Sequence, residues 1–193
     1  MKKTQKIQNP TTKSQRWRLQ TTSIWIKEFL YKIYGRLAKK QGKAVIISCG
    51  KNKIWDLNPN AGPTAAKDVY VGNYVNKLKE YAKDQVKRGY ADDWFIISAK
   101  YGIITKDFII PEPYNVTFDD LSTNPISVKD LAVTVKESVI LGYKNIEVIA
   151  GDKYKQRIEQ VIPNDKLSFP FDNLKSKGQG YYMGWCKEQI NNI

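Results

Sequence analysis

The sequence contains no histidine, and two of its 193 residues are cysteine. The first absence excludes a Ser-His-Asp triad, a Cys-His dyad and any metal site built on imidazole. The second excludes a four-thiolate zinc site and leaves Cys49 and Cys186 as the pair that any disulfide within the chain would join. No apolar run approaches the roughly 18 residues of a membrane span, and no apolar stretch follows the basic start as it would in a secretory signal. A soluble cytoplasmic protein without metal or cofactor is therefore expected. Acid is also scarce, with 32 Lys+Arg against 19 Asp+Glu and a formal charge of +13. Such an excess points to an anionic partner, nucleic acid or a membrane surface, and says nothing about fold.

The charge is unevenly placed. Residues 1–43 hold twelve Lys/Arg and a single acid, Glu28, a net of +11, while the remaining 150 residues hold 20 basic and 18 acidic side chains. The chain accordingly divides into a basic N-terminal arm, residues 1–43, and a nearly neutral α/β domain, residues 44–193. The first 20 or so residues have no hydrophobic period and the composition of a disordered segment. From Ser23, Trp25, Phe29, Ile33 and Leu37 recur at i+4, which reads as an amphipathic helix with Lys27, Lys32, Arg36, Lys39 and Lys40 on its polar side. That helix either packs on the domain with its basic side solvated, lies along a phosphate backbone, or rests on a membrane surface.

Four β-branched or aromatic runs mark the body: 44–48, 94–98, 146–150 and 167–171. The first three are nearly continuously apolar, as buried parallel strands are. Helical patterns lie between them, over 64–88, over 128–141 ending at Gly142, after Asp152 as an N-cap, and from about Gly180. The alternation predicts an α/β three-layer sandwich with a four-stranded, mostly parallel sheet. Trp94 and Trp185 fit best as packing residues.

In such folds ligands bind beyond the carboxyl ends of the strands. The first strand is followed by Ser48-Cys49-Gly50-Lys51-Asn52-Lys53, the second by Ser98-Ala99-Lys100-Tyr101-Gly102 and then Pro113-Tyr114, the third by Gly151-Asp152-Lys153-Tyr154, and the fourth by Asp172-Asn173-Leu174-Lys175 with Lys177 and Gly178-Gln179-Gly180. Lysines for phosphate, tyrosines for stacking and small residues for close backbone approach suit an anion beside a planar ring. The P-loop pattern is missing, which argues against a nucleoside triphosphatase. Cys49 stands where a nucleophile could stand but has no histidine base, and a buried structural thiol is the simpler reading. Asp68, opening a helix, is either a dipole-stabilised first-turn acid or a general base facing the loop of Lys51. Asp152 and Asp172 are secondary acid candidates.

The blocks Cys49-Gly50-Lys51-Asn52-Lys53, Ala66-Lys67-Asp68-Val69-Tyr70-Val71-Gly72, Ser98-Ala99-Lys100-Tyr101-Gly102-Ile103-Ile104 and Pro113-Tyr114-Asn115-Val116-Thr117-Phe118 occur in an order that resembles bacterial and phage domains allied to the catalytic domain of archaeosine synthase. Through that domain they are similar to the uracil-DNA glycosylase superfamily. The resemblance spans about residues 44–190 and implies a uracil-DNA glycosylase-like fold acting on modified bases of DNA or tRNA. An antiphage glycosylase that excises glucosylated hydroxymethylcytosine is a role it allows. The Gly-Gln-Asp-Pro-Tyr and His-Pro-Ser loops of uracil-DNA glycosylases are both missing here; by position, residues 51–68 and 171–180 replace them.

The expected function is thus a DNA N-glycosylase for a modified base. Ser48, Cys49, Lys51, Lys53, Lys153, Lys175 and Lys177 bind the nucleic acid, and Tyr70, Tyr101 or Tyr114 stacks on an extruded base. Asp68 or Asp172 stabilises the oxocarbenium-like sugar or orients water, and Lys100 neutralises the departing base. Neither metal nor cofactor is required. DNA is expected as partner ahead of tRNA, and the chain is expected to be a monomer. A base-modifying transferase of the archaeosine-synthase type and a non-catalytic nucleic-acid-binding module are the alternatives.

Overall fold

A computed structural model describes residues 42–192; the basic arm and its expected helix lie outside them, apart from Gly42 and Lys43. Three of the apolar runs form parallel strands, β1 (Lys43–Ser48), with β3 (Asp93–Ser98) on one side and β6 (Asn145–Ile149) on the other. A short β7 (Leu167–Ser168) pairs in parallel with β6. Among the described residues the sheet has five strands rather than four, in the order β4-β3-β1-β6-β7, because β4 (Gly102–Thr105) turns back antiparallel beside β3. That reversal requires Gly102: its φ is 73°, and a Cβ there would run into the Thr134 side chain, 2.9 Å from Cγ2. The hydroxyl of Ser98 organises the turn by accepting from the N–H groups of Lys100 and Tyr101, each at 3.2 Å. A separate two-stranded pairing joins β2 (Thr64–Ala65) to β5 (Ile109–Ile110).

Successive strand side chains point to opposite faces, and each face is covered. Val45, Ile47, Ile96 and Ile104 pack against Leu78 and Tyr81 of α3 (Asn73–Lys87) and Tyr182 and Cys186 of α6 (Gln179–Asn191). Ala44, Ile46, Phe95 and Val148 pack against Leu131 and Val135 of α4 (Val128–Glu137) and Ile158 of α5 (Asp152–Glu159). Trp94 and Trp185 belong to the first of these cores, as packing residues. The expected α/β three-layer arrangement is present.

The helix expected over 64–88 is divided. After β2, α2 (Ala66–Val69) is a single turn, and α3 starts only beyond Gly72, whose φ of 111° no helix accommodates. The helix expected over 128–141 ends at Glu137, and residues 140–142 form a 3-10 turn. The fourth strand stops at Ser168 because a 3-10 turn over Pro170–Asn173 replaces its second half. Asp152 is the first residue of α5 and not its cap; the capping position is Gly151.

These connections decide where a ligand can sit. The chain leaves β1 for α3 on one face and leaves β6 for α5 on the other, so the carboxyl ends of these adjacent strands part to opposite layers. This is a topological switch point, where open α/β sheets leave a crevice.

Candidate functional site

The crevice is an open cleft of about 720 Å³, in the range that holds a nucleotide. Its floor is the segment leaving β1. Ser48 is buried, and the N–H of Cys49 extends the pairing of β1 with β3 by donating to Ile97 O at 3.0 Å. Gly50 lies against α3 so closely that a Cβ would stand 3.0 Å from Val75 Cγ1 and 3.3 Å from Val71 O. Lys51 then projects into solvent, whereas Lys53 turns inward and is 7% exposed. Lys53 forms an isolated bridge with Tyr70 and precedes α1 (Ile54–Leu57), and its N–H donates to Asp56 Oδ2 at 2.8 Å. Both lysines line the cleft, although they do not share an environment.

Three helices open onto this cleft, α3, α5 and α6, and their capping positions are Gly72, Gly151 and Gly178. Among the described residues no side chain accepts from the first-turn N–H groups of any of the three. Each N-terminus therefore keeps unsatisfied donors and the positive end of its dipole. Lys51 and Lys153 add cationic side chains to the same walls, and Lys53 adds a buried amine. A phosphate is the ligand such a combination suits.

The opposite wall comes from the segment after β5, where Asn115, Val116, Thr117 and Asp119 reach the cleft. Asp119 is ion-paired with Lys153, whose ammonium holds the Asp119 carboxyl below the usual carboxylate range. Among the described residues it is the one carboxylate lining the cleft. Tyr154 donates to or accepts from Cys49 Sγ at 3.4 Å and meets Phe118 edge to face. Burial, the largest influence on Cys49, pushes its thiol up, so it is no thiolate at neutral pH. Both cysteines are free thiols.

Beside the cleft lies an aromatic cluster. Tyr114 Oη is 2.6 Å from Tyr70 Oη and 3.1 Å from Ser98 Oγ, and the Nζ atoms of Lys53 and Lys100 stand 4.5 and 5.1 Å from its ring centroid. Burial first of all raises the Tyr70 and Tyr114 hydroxyls far above the ordinary tyrosine range, so both are neutral donors.

The residues singled out from sequence fall into two groups. Ser48, Cys49, Lys51, Lys53 and Lys153 line the cleft. Asp68, Lys100, Asp172, Lys175 and Lys177 do not. Asp68 is exposed on α2 and is not among the cleft-lining residues; Lys100 lies 3.7 Å from Glu112. Asp172 is exposed and paired with Lys155, with Lys177 Nζ 3.7 Å away, and Lys175 is solvent-exposed. Tyr70 has no exposed surface and cannot stack on a base; its ring is committed to the core. Tyr101 and Tyr114 are half-buried and packed edge to face at 5.3 Å, outside the cleft lining. The cleft's own rings are Tyr74, Tyr154 and Tyr182, with Tyr182 stacked on Phe171 at 4.1 Å. A residue following a strand end by a few positions marked Tyr154. Nothing in the sequence marked Asp119, which reaches the site through a long excursion between β5 and α4. Among the described residues no group of three or more acidic or thiol side chains is arranged to hold a metal.

Fold and cleft together define an α/β/α sandwich protein with a lysine-lined crevice at its switch point. The chain belongs to a family of unknown function, DUF6884, whose family model matches residues 44–188. It is 32% identical over 139 residues to the uncharacterized protein YfjM of Bacillus subtilis (strain 168), an alignment covering 72% of this chain and 88% of that protein. No solved structure matches. No helix among the described residues is long and apolar enough to cross a membrane.

Proposed function

We propose that the protein is a DNA N-glycosylase that takes a nucleotide carrying a modified base into the switch-point cleft and cleaves its N-glycosidic bond. The observation that supports this most is the convergence on one cleft of three glycine-capped helix N-termini and three lysines. Phosphates flanking the nucleotide sit on those termini, with Lys51 and Lys153 completing the charge. The sugar then lies towards Asp119, which its ion pair keeps ionised. As the glycosidic bond breaks, positive charge gathers on the sugar ring, and Asp119 stabilises it or orients the attacking water. That role passes to Asp119 from Asp68 and Asp172, which stand outside the cleft. Asn52 and Asn115 line the cleft, and in this reading their amides bond to the edge of the extruded base. The basic arm supplies sequence-independent grip on the phosphate backbone. Action on the hypermodified bases of phage DNA, in antiphage defence within the cytoplasm, is the biological role that fits.

The test is incubation of the full-length chain with unmodified DNA, hypermodified phage DNA and tRNA, followed by mass analysis of released base. Release from modified DNA, lost in Asp119→Asn while binding persists, is the expected result. Tight binding with no release from any substrate would make the protein a binding module. Covalent change of a tRNA base without release would make it a transferase.

A further inference from the structure

Lys53 is unlike the other lysines of the cleft. Lys51 is exposed and Lys153 is paired with Asp119. Lys53 is 7% exposed, lines the cleft, and makes no ion pair with a carboxylate among the described residues. Its Nζ donates to Lys51 O at 2.9 Å and stands 4.5 Å from the centroid of the Tyr114 ring. An ammonium carries three N–H donors and wants a counter-charge; a neutral amine needs neither and keeps a lone pair. Burial is also the largest influence on this group and pulls its pKa down from the ordinary lysine value of 10.5. A lysine desolvated in this way is a nucleophile towards carbonyl carbon.

We propose that Lys53 is an amine nucleophile that forms an imine with the C1′ aldehyde of an abasic sugar seated in the cleft. The proposal rests on the glycosylase reading, because base excision leaves that sugar as its product. In the ring-opened sugar, the Nζ lone pair forms a bond to C1′ and the carbonyl pair moves onto oxygen. A proton passes from nitrogen to that oxygen, giving a carbinolamine. The nitrogen pair then expels the hydroxyl group, which leaves with a proton as water, and a C=N bond remains. Nothing is oxidised or reduced. The ring of Tyr114, 4.5 Å from Nζ, limits where the amine can go, and its hydrogen bonds to Tyr70 and Ser98 fix the ring.

The experiment uses the full-length chain and an oligonucleotide with one preformed abasic site, so that it does not depend on base release. Borohydride present during incubation reduces an imine to a stable secondary amine, detected by intact mass and located by peptide mapping. The expected result is one covalent adduct on Lys53, reduced at least tenfold in Lys53→Arg, whose guanidinium is long and polar but forms no imine, and retained in Lys136→Ala, on the exposed side of α4. No adduct on the wild-type chain, or an adduct mapped to another amine, overturns the proposal. Mapping is done on the wild-type protein, so the outcome does not hinge on the folding of any variant. Base release without trapping refutes the imine alone, and trapping without base release refutes the glycosylase reading alone.

Discussion

The anion site can be tested by installing a carboxylate at one of its three helix ends. Gly151 is the position to use, because its φ of −72° and ψ of 167° suit any residue at a helix cap. A Cβ there would meet Tyr182 Cε2 at an ordinary 3.8 Å. The other two capping glycines have φ of 111° and 127° and would be strained by any side chain. Gly151→Asp should act with opposite signs on stability and on binding. As a cap, the aspartate accepts from first-turn N–H groups and meets the dipole favourably, together worth about 0.5–1 kcal/mol, or a Tm higher by roughly 1–4 °C for a chain of this size. As a charge, it repels phosphate. At roughly 6 Å and an effective dielectric near 20, that repulsion is about 3 kcal/mol, a 100-fold weaker Kd, which screening at physiological salt reduces towards about tenfold. The assay is calorimetric unfolding beside an amide NMR titration with a deoxynucleoside monophosphate, read at residues 151–154. Gly151→Ser, a cap without charge, should share the gain in Tm and lose less than about threefold in affinity. A stabilised Gly151→Asp variant with unaltered affinity would show that no anion binds at α5.

Lys51→Ala and Lys153→Ala should each reduce the slope of log K against log salt for single-stranded DNA by about 0.7, one phosphate contact apiece, and unchanged slopes would remove them from the phosphate set. For Lys53, burial depresses the folded-state pKa below the ordinary 10.5, so between those values the unfolded chain binds more protons and stability rises with pH. Lys53→Met should therefore be most stabilised relative to wild type at neutral pH, with the difference shrinking as pH approaches 10.5; thermal unfolding across that range checks it, and a constant difference would refute it. Gly102→Ala combines a positive φ with a clash against Thr134, and should cost at least about 2 kcal/mol in denaturant unfolding. A near-neutral effect would mean that the β3–β4 turn adapts freely.

Much of the fold was legible because buried parallel strands write themselves as short, continuous apolar runs. The apolar runs 44–48, 94–98 and 146–150 coincide to within a residue with the strands they form. What escaped depended on single glycines or on distant partners. Gly72 splits a convincing helical pattern, since a left-handed residue in its middle overrides the periodicity around it. The antiparallel β4 follows directly on Ser98-Ala99-Lys100-Tyr101, and only the positive φ of Gly102 turns the chain back to form it. At the site, the strand-end rule found Lys51, Lys53 and Lys153 because their places follow from topology alone. It misplaced Asp68 because α2 is one turn long and presents that carboxylate to solvent. It gave the aromatic role to Tyr70, whose position after that turn buries it completely. Asp119 was invisible because only tertiary folding of the segment after β5 brings it opposite Lys153.

The most direct measurement is base release from DNA carrying glucosylated hydroxymethylcytosine, quantified by mass spectrometry alongside counting of abasic sites. The account predicts equal amounts of free modified base and abasic sites from modified DNA, none from unmodified DNA, and loss of both products in Asp119→Asn with DNA binding intact. Binding to modified DNA with neither product formed would contradict it.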